Sequence, residues 1–473
     1  MFFTRLLFLL ILNGVINQAK SRRCLKGWDL AVAVRTKELN KALDKVVYKF
    51  LLSHTLPSFE YHEDPSNGQS WGMRKSVTLR GMRLSSLHLY AIQGKEQEGR
   101  LQVTFSAGTL KVSSQLVVQN QVQSSNTDLN LPMNKHTVAF KVRVTAYKAK
   151  LKNQVGERYT IHLEIVDDDA IIGSLDWKIP GPSANAVRKA LTEKMKRELK
   201  LGKNFNLGSF DLPVRNSRQS SLVKDLFPQT IRFSFTYSSS GNSVLAGLAT
   251  SKSSNFGVGS YSWGINELVP YDKGSAITIS GSKLMRSLTP VIAKQMSISQ
   301  GALQYSQDCP ASIWTKWRIN DFKGTSDLKS FTLQMHGSDQ LSIYLRMFDH
   351  VSSGITVDVY IDVRLRLSYD NYRKRFEIQK SYQNHRTEYH REWWVWVLEI
   401  ISLGIGRLVT EIITAIADGV IARGLESALD FNPSNGGMPL NIGGVLGEIF
   451  DHMKVQSVVF SNGNLLFPFS FSW

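Results

Sequence analysis

The sequence predicts an α+β protein in which two similar units each wrap a long, bent antiparallel sheet around amphipathic helices. Three observations favour this prediction. Residues 31–47 and 276–292 align without a gap at a constant offset of 245. In each copy the apolar period changes from two to about 3.6, which is typical of a strand followed by a helix. Residues 355–367 then alternate apolar and polar side chains over a span longer than an average strand.

The repeat matches seven apolar positions. Ala31, Val32, Val34, Leu39, Leu43, Val46 and Val47 fall on Ala276, Ile277, Ile279, Leu284, Leu288, Val291 and Ile292. A duplicated domain explains this match. Two unrelated strand–helix pairs of ordinary amphipathic character explain it as well. We expect a signal peptide (1–21), a first module (22–215), a connecting β segment (216–265) and a second module (266–473).

Alternation and helical periodicity define the elements of the first half. In order, these are a strand at Trp28–Val34, a helix over about 36–53, a loop at 57–70, strands at Gly99–Phe105, Leu110–Val118, Thr137–Val144 and Tyr159–Val166, and a helix over about 184–200. The last helix carries Val187, Leu191, Met195 and Leu199 at a spacing of four, which indicates one buried face.

The second half predicts further strands and one very apolar segment. The predicted strands are Ile231–Tyr237, Ser243–Leu248, Ile355–Leu367 and Val455–Phe460, and the chain ends in an aromatic tail at Phe467–Trp473. Charged residues interrupt the apolar segment Trp393–Leu429, so it predicts an amphipathic helix in an apolar groove rather than a membrane-spanning helix. Its tryptophans fit either core packing or insertion into a membrane surface.

The N-terminus is typical of a secreted protein. Arg5 precedes the apolar run Leu6–Ile16, and small residues follow at a plausible cleavage position. The two cysteines, Cys24 and Cys309, lie beyond that position. In an oxidising compartment they form one long-range disulfide or stay as two free thiols.

The formal net charge of +18 is concentrated in the first half. Residues 22–220 hold 32 basic and 18 acidic side chains, whereas residues 221–473 hold 23 and 21. This distribution favours an anionic partner, and a secreted protein meets anionic lipid more often than nucleic acid. A surface that only increases solubility is the alternative.

Motifs of catalysis are missing from the sequence. It contains no Walker A loop, nucleophile elbow or metalloprotease helix motif. His385–Glu392 and Asp167–Asp169 contain metal-ligand residue types, but their spacing fits solvated connections better. We therefore expect a protein that is not an enzyme, without a cofactor, a metal or a nucleic-acid partner. A lipid hydrolase ranks last, because no nucleophile, base and orienting acid can be named.

The order of these elements resembles the tubular lipid-binding (TULIP) superfamily. The residues that suggest this are Gly27-Trp28-Asp29 before the first strand and helix, the helix at Leu284–Ile292 broken by Pro290, and the tryptophan-rich approach to the apolar segment. The details are more similar to the accessory proteins encoded in clostridial neurotoxin gene clusters and their bacterial relatives. The resemblance implies that a highly bent sheet wraps a long helix around an apolar, lipid-binding channel.

The resemblance also implies site residues. The apolar channel walls would be Leu39, Leu43, Val47 and Phe50 in one unit and Leu284, Leu288 and Ile292 in the other, and a closed core would need the same side chains. Anionic headgroups would meet Lys141, Arg143, Arg188, Lys189, Lys196 and Arg197. The partners would be a lipid or fatty acid and an anionic membrane surface. The rival hypothesis is a toxin component or toxin-accessory protein that acts through membrane insertion or assembly with a protein partner.

Overall fold

The fold was examined in a computed structural model. It describes residues 24–41, 43–44, 55–64, 71–150, 156–166, 181–201, 206–213, 228–239, 242–251, 263–270, 273–306, 308–322, 326–336, 340–352, 355–370, 375–385, 453–457 and 459–471. Antiparallel strands dominate these residues and helices are few, which confirms the predicted α+β class. The predicted apolar segment Trp393–Leu429 lies outside the described residues.

Twenty-one strands are described. In the first part of the chain they are β1 (Leu30–Arg35), β2 (Phe59–Glu63), β3 (Trp71–Ile92), β4 (Lys95–Val118), β5 (Gln121–Pro132), β6 (Thr137–Lys150), β7 (Gly156–Ile165), β8 (Asn206–Pro213), β9 (Pro228–Thr236) and β10 (Val244–Ser251). The later strands are β11 (Ser275–Ser280), β12 (Leu303–Tyr305), β13 (Ser312–Thr315), β14 (Ile319–Phe322), β15 (Ser326–His336), β16 (Gln340–Ser352), β17 (Ile355–Asp370), β18 (Arg375–His385), β19 (Met453–Val455), β20 (Val459–Ser461) and β21 (Asn464–Phe471).

The described helices lie beside these strands. They are α1 (helical at residues 36–41 and 43–44), α2 (Gly181–Leu201), α3 (Ile265–Leu268) and α4 (Gly281–Met296). Both copies of the repeat are therefore a strand that runs directly into a helix, β1–α1 and β11–α4. The Ser280 hydroxyl caps α4 by accepting a hydrogen bond from the Lys283 backbone N–H at 3.1 Å.

The strands form three seven-stranded sheets. The central sheet has the order β19-β21-β11-β1-β10-β9, with β20 beside β21. The first flanking sheet has the order β2-β3-β4-β6-β7-β8 with β5 beside β4, and the second has the order β12-β13-β15-β16-β17-β18 with β14 beside β15. The two repeat strands are thus neighbours in the middle of the central sheet.

The pairing of β1 with β11 has a symmetric register. The strands are antiparallel, and Val32 pairs with Ile277, the residue onto which the offset of 245 places it. On either side, Ala31 pairs with Thr278 and Ala33 with Ala276. Since Ala31 and Ala276 are equivalent, as are Ala33 and Thr278, exchanging the two copies leaves the register unchanged.

The first flanking sheet contains two strands far longer than the sequence analysis predicted. Gly99–Phe105 and Leu110–Val118 belong to one strand, β4, of 24 residues, and β3 with 22 residues was not predicted. The β3–β4 register shifts between Arg80 and Ser86, beside Gly81 and Gly108, which have φ angles of +60° and +128°. This irregularity breaks the apolar alternation without ending either strand.

Two other predictions need correction. The predicted loop 57–70 contains β2, whose Phe59 is buried, so apolar alternation continues into a segment rich in turn residues. Within the predicted aromatic tail, residues 467–471 belong to β21 of the central sheet, in which Phe467 and Phe469 are fully buried. The Pro468 carbonyl accepts a hydrogen bond from the Gln456 N–H at 2.8 Å, which a proline can do because it lacks only the N–H donor.

Three apolar cores hold the sheets together. One lies between the first flanking sheet and the helices α1 and α2, and a second lies between the second flanking sheet, α4 and β21. The third covers the opposite face of β1 and β10, where Trp28, Ala31 and Ala33 are almost fully buried. Phe235 of β9 belongs to the first core and so connects the central sheet to the first flanking sheet.

Candidate functional site

The predicted apolar residues of the first copy lie inside a core. Leu39 and Leu43 are 6% and 4% exposed and belong to the core between α1, α2 and the first flanking sheet. Asn40 fixes α1 against β3, because its side chain accepts from the Leu89 N–H at 2.8 Å and donates to the Leu89 carbonyl at 3.0 Å. The predicted residues Val47 and Phe50 lie outside the described residues.

The predicted apolar residues of the second copy lie together on α4. Leu284, Leu288 and Ile292 recur every four residues and are at most 3% exposed. They pack in the core of the second flanking sheet, which includes Phe331 and Ile343. These side chains therefore stand between the repeat helix and its sheet, the position that a channel wall or a closed core requires.

Two of the predicted headgroup cations share one carboxylate. Lys141 Nζ lies 3.0 Å from Glu98 Oε2, and Arg143 Nη2 donates to Glu98 Oε1 at 3.4 Å. The Glu98 side chain is only 14% exposed, so the pair of cations compensates a half-buried negative charge. Lys141, Arg143 and Glu98 together therefore carry a net charge of +1, rather than the +2 of the two cations alone.

The other four predicted cations lie on α2. Arg188, Lys189 and Arg197 are exposed and Lys196 is half-buried, so all four lie outside the buried row of Val187, Leu191 and Met195. Its basic surface is thus a consequence of the amphipathic pattern that the sequence predicts.

Contacts from β2 organise part of this basic surface. Lys189 Nζ lies 2.5 Å from Glu63 Oε1, and the Arg197 guanidinium stands 4.8 Å from the ring centre of Phe59. Lys196 pairs at 3.9 Å with Glu193 one turn away. Burial and the charge of Glu63 raise the pKa of Tyr61, although Lys189 opposes this. Since the ion pairs are partly exposed to solvent, anionic ligands can compete for these cations at small cost.

The structure joins Cys24 and Cys309 in a disulfide. Their Cα atoms are 5.1 Å apart, and 285 positions separate them in sequence. Cys24 begins a short 3₁₀ turn, Cys24–Gly27, before β1, and Cys309 lies between β12 and β13. The link therefore attaches the entry to the first repeat strand to the second flanking sheet.

An exposed apolar patch was missed by the sequence analysis. It consists of Trp71, Met73, Leu116, Val118 and Val122, which are 38–62% exposed. Trp71 pairs with Val118 and Met73 with Leu116, so the patch lies at the end of β3 and β4. The turn at 119–120, whose two residues have positive φ angles as a two-residue hairpin requires, connects β4 to β5 beside the patch.

The metal-ligand and acid–base residue types of the sequence lie partly within the described residues. Within them, no group of three or more His, Cys, Asp or Glu residues is arranged to hold a metal. His385 ends β18, whereas the rest of the His385–Glu392 cluster and all of Asp167–Asp169 lie outside the described residues. His88 Nε2 lies 2.8 Å from Asp44 Oδ1, and Tyr90 lies 3.3 Å from His88 Nδ1.

Of the helices described, none is long and apolar enough to cross a bilayer.

Comparisons with known proteins give matches in structure only. No protein-family model matches the chain, and the search of curated proteins found no match. P47 from Clostridium botulinum A2 aligns over 95% of this chain and 98% of its own, at 11% identity and a TM-score of 0.52. P47 of Clostridium botulinum E1 aligns over 94% and 100%, at 12% identity and a TM-score of 0.54.

A lipopolysaccharide binding protein aligns over 94% of this chain and 100% of its own at 12% identity, but its TM-score of 0.30 supports no argument here. The two P47 proteins match nearly end to end, so the similarity extends through all three sheets. The chain has the fold of the P47 proteins, so the predicted resemblance is confirmed for the fold alone.

Proposed function

We propose that this chain is a secreted, non-enzymatic lipid-binding protein built from two TULIP-like modules. It would hold acyl chains in apolar channels and associate with anionic membranes. The modules would be residues 22–215 and 266–473, preceded by a signal peptide (1–21) and joined by residues 216–265. The observation that carries the proposal is the shared position of the two repeat helices, each following a central strand and covering the apolar face of its own flanking sheet.

The register of the central sheet supports two related modules. Beside the symmetric β1–β11 pair, β10 and β21 each have eight residues and pair with β1 and β11 so that Val244–Ser251 corresponds to Asn464–Phe471 at an offset of 220. The strand–helix junctions also correspond. The Thr36 N–H donates to the Ser243 carbonyl at 2.8 Å, and the equivalent Gly281 approaches the carbonyl of the equivalent Gly463.

The proposed acyl-chain site lies between each repeat helix and its sheet. Leu39 and Leu43 line this position in one module, and Leu284, Leu288 and Ile292 line it in the other. Each buried methylene contributes about 0.8 kcal/mol, so a chain of ten methylenes would gain about 8 kcal/mol before the cost of ordering it. That gain is sufficient for useful affinity without any polar contact.

Photo-crosslinking tests where an acyl chain enters. The protein is incubated with a fatty acid carrying a terminal diazirine, irradiated and digested, and the labelled peptides are identified by mass spectrometry. We expect label on peptides that contain 36–44 or 281–296, and competition by an unlabelled fatty acid. Label confined to the exposed patch at Trp71 and Val122, or label that no competitor reduces, would refute an internal site.

The basic face of α2 is the proposed contact with anionic headgroups. The test variant replaces Arg188, Lys189, Lys196 and Arg197 with Glu. The control variant makes the same change in net charge at the exposed residues Lys95, Lys111, Lys135 and Lys316. We expect the test variant to lose at least tenfold in binding to anionic liposomes, while both variants bind neutral liposomes as the wild type does. Equal losses in the two variants would show that only total charge matters.

The exposed apolar patch favours a second candidate function. A toxin component or toxin-accessory protein would use such a surface for membrane insertion or for assembly with another protein. Release of a trapped dye from liposomes, together with oligomers that survive mild detergent, would support insertion. Stoichiometric co-purification of another protein would support assembly.

A further inference from the structure

The strand β5 has a free edge. It pairs with β4 alone among the described strands, and its first eight residues, Gln121–Asp128, are all exposed. Exposure of consecutive residues means that neither face of the strand is covered, because adjacent side chains point to opposite faces. Within the part of the chain that the structure describes, the backbone N–H and C=O groups of the outer edge therefore have no strand partner and are open to water or to another strand.

This edge lacks the features that keep sheet edges apart. Among the described strands that pair on one side only, β5 is the longest at 12 residues. The next longest, β18, carries Arg375, Glu377 and Lys380, and charged side chains discourage edge pairing. By contrast, Gln121–Thr127 contains no charged residue and no proline. Proline appears only at Pro132, where β5 ends.

The one charged side chain of β5, Asp128, is bound to the neighbouring strands. Asp128 Oδ2 accepts from Lys75 Nζ at 2.7 Å and from Ser114 Oγ at 2.6 Å, so it is bound across β4 to β3. Burial opposes the ionisation of Asp128, but the hydrogen bonds from Lys75 and Ser114 prevail and lower its pKa. Its negative charge is therefore compensated within the chain, and the outer edge is neutral.

We propose that β5 is a self-association edge, which pairs antiparallel with β5 of a second copy of this chain. Elsewhere two strongly basic copies repel one another, so association is favoured where the local charge is zero. An antiparallel register across Gln121–Thr127 places only neutral side chains opposite one another, including Ser, Thr, Asn and Gln pairs that can exchange hydrogen bonds. It would also cover Val122, which is 48% exposed. This inference is independent of lipid binding.

Sedimentation and hydrogen exchange test the proposal on the full mature chain. We expect a monomer–dimer equilibrium between about 1 and 100 µM, with the dimer favoured at higher salt because screening weakens the repulsion. Amide exchange of residues 121–127 should slow at least tenfold at the high concentration. A chain that stays monomeric at 100 µM, or a dimer in which 121–127 exchange as freely as in the monomer, would overturn the proposal.

A charge variant provides the complementary test. Ser125→Lys with Thr127→Lys brings four lysines together in the proposed dimer, so it should raise the dimer dissociation constant at least tenfold. Gln93→Lys with Gln97→Lys adds the same charge at exposed positions in and after the β3–β4 turn and serves as the matched control. Equal effects of the two variants would contradict edge pairing. The exchange measurement on the wild-type chain decides the question even if a variant unfolds.

Discussion

Removing the Cys24–Cys309 disulfide should lower the stability of the whole chain. The link closes a loop of 285 residues and joins the turn before β1 to the second flanking sheet. In the chain-entropy model, a loop of this length restricts the unfolded state by about 19 cal/mol/K, which corresponds to about 5.6 kcal/mol at 25 °C. With an unfolding entropy near 2.1 cal/mol/K per residue, the 473-residue chain should lose about 6 °C in Tm.

The assay is calorimetric unfolding of the oxidised wild type and of the variant Cys24→Ser with Cys309→Ser, each with and without a reductant. The reductant should lower the Tm of the wild type to that of the variant and leave the variant unchanged. An unchanged Tm in the double variant would refute the argument that this link constrains the unfolded chain. A further fall when the variant is treated with reductant would show that the reductant acts elsewhere.

Two further substitutions test the fold. Gly281→Ala should destabilise the chain by about 3 kcal/mol, because the new Cβ would lie 1.9 Å from the Gly463 carbonyl oxygen, whereas Gly301→Ala, with nothing nearer than 3.5 Å, should change the Tm little. Asp128 has a lowered pKa, so its stabilisation is present above the unfolded-state value near 3.9 and is lost as the pH falls through the folded value. Asp128→Asn should cost up to about 1 kcal/mol at pH 7 and progressively less as the pH falls below the unfolded-state value, as urea unfolding at a series of pH values would measure.

The parts of the fold that depend on local pattern were predictable from the sequence. The change of period within 31–47 and 276–292 predicted both strand–helix units, and the spacing of Val187, Leu191 and Met195 predicted the buried face of α2. Hydrophobic periodicity reports burial directly, so these elements needed no knowledge of the rest of the chain.

Features that depend on distant partners were not predictable. The break in apolar alternation between Phe105 and Leu110 resembled the end of a strand. Nothing in the sequence shows that β3 is irregular at the residues that pair with this part of β4. The aromatic tail did not indicate a strand, because β21 is formed by pairing with β11, which lies far away in the chain. The compensation of Lys141 and Arg143 by Glu98 likewise joins residues more than 40 positions apart.

The most direct test of the lipid-binding proposal is mass spectrometry of an organic extract from the purified, secreted protein, beside a control protein purified in the same way. The proposal predicts a defined lipid at about one or two molecules per chain, because each module offers one apolar site between helix and sheet. An extract that matches the control, both as purified and after incubation with mixed lipids, would contradict it. The two cores would then be closed, and the exposed surfaces would remain as the sites of function.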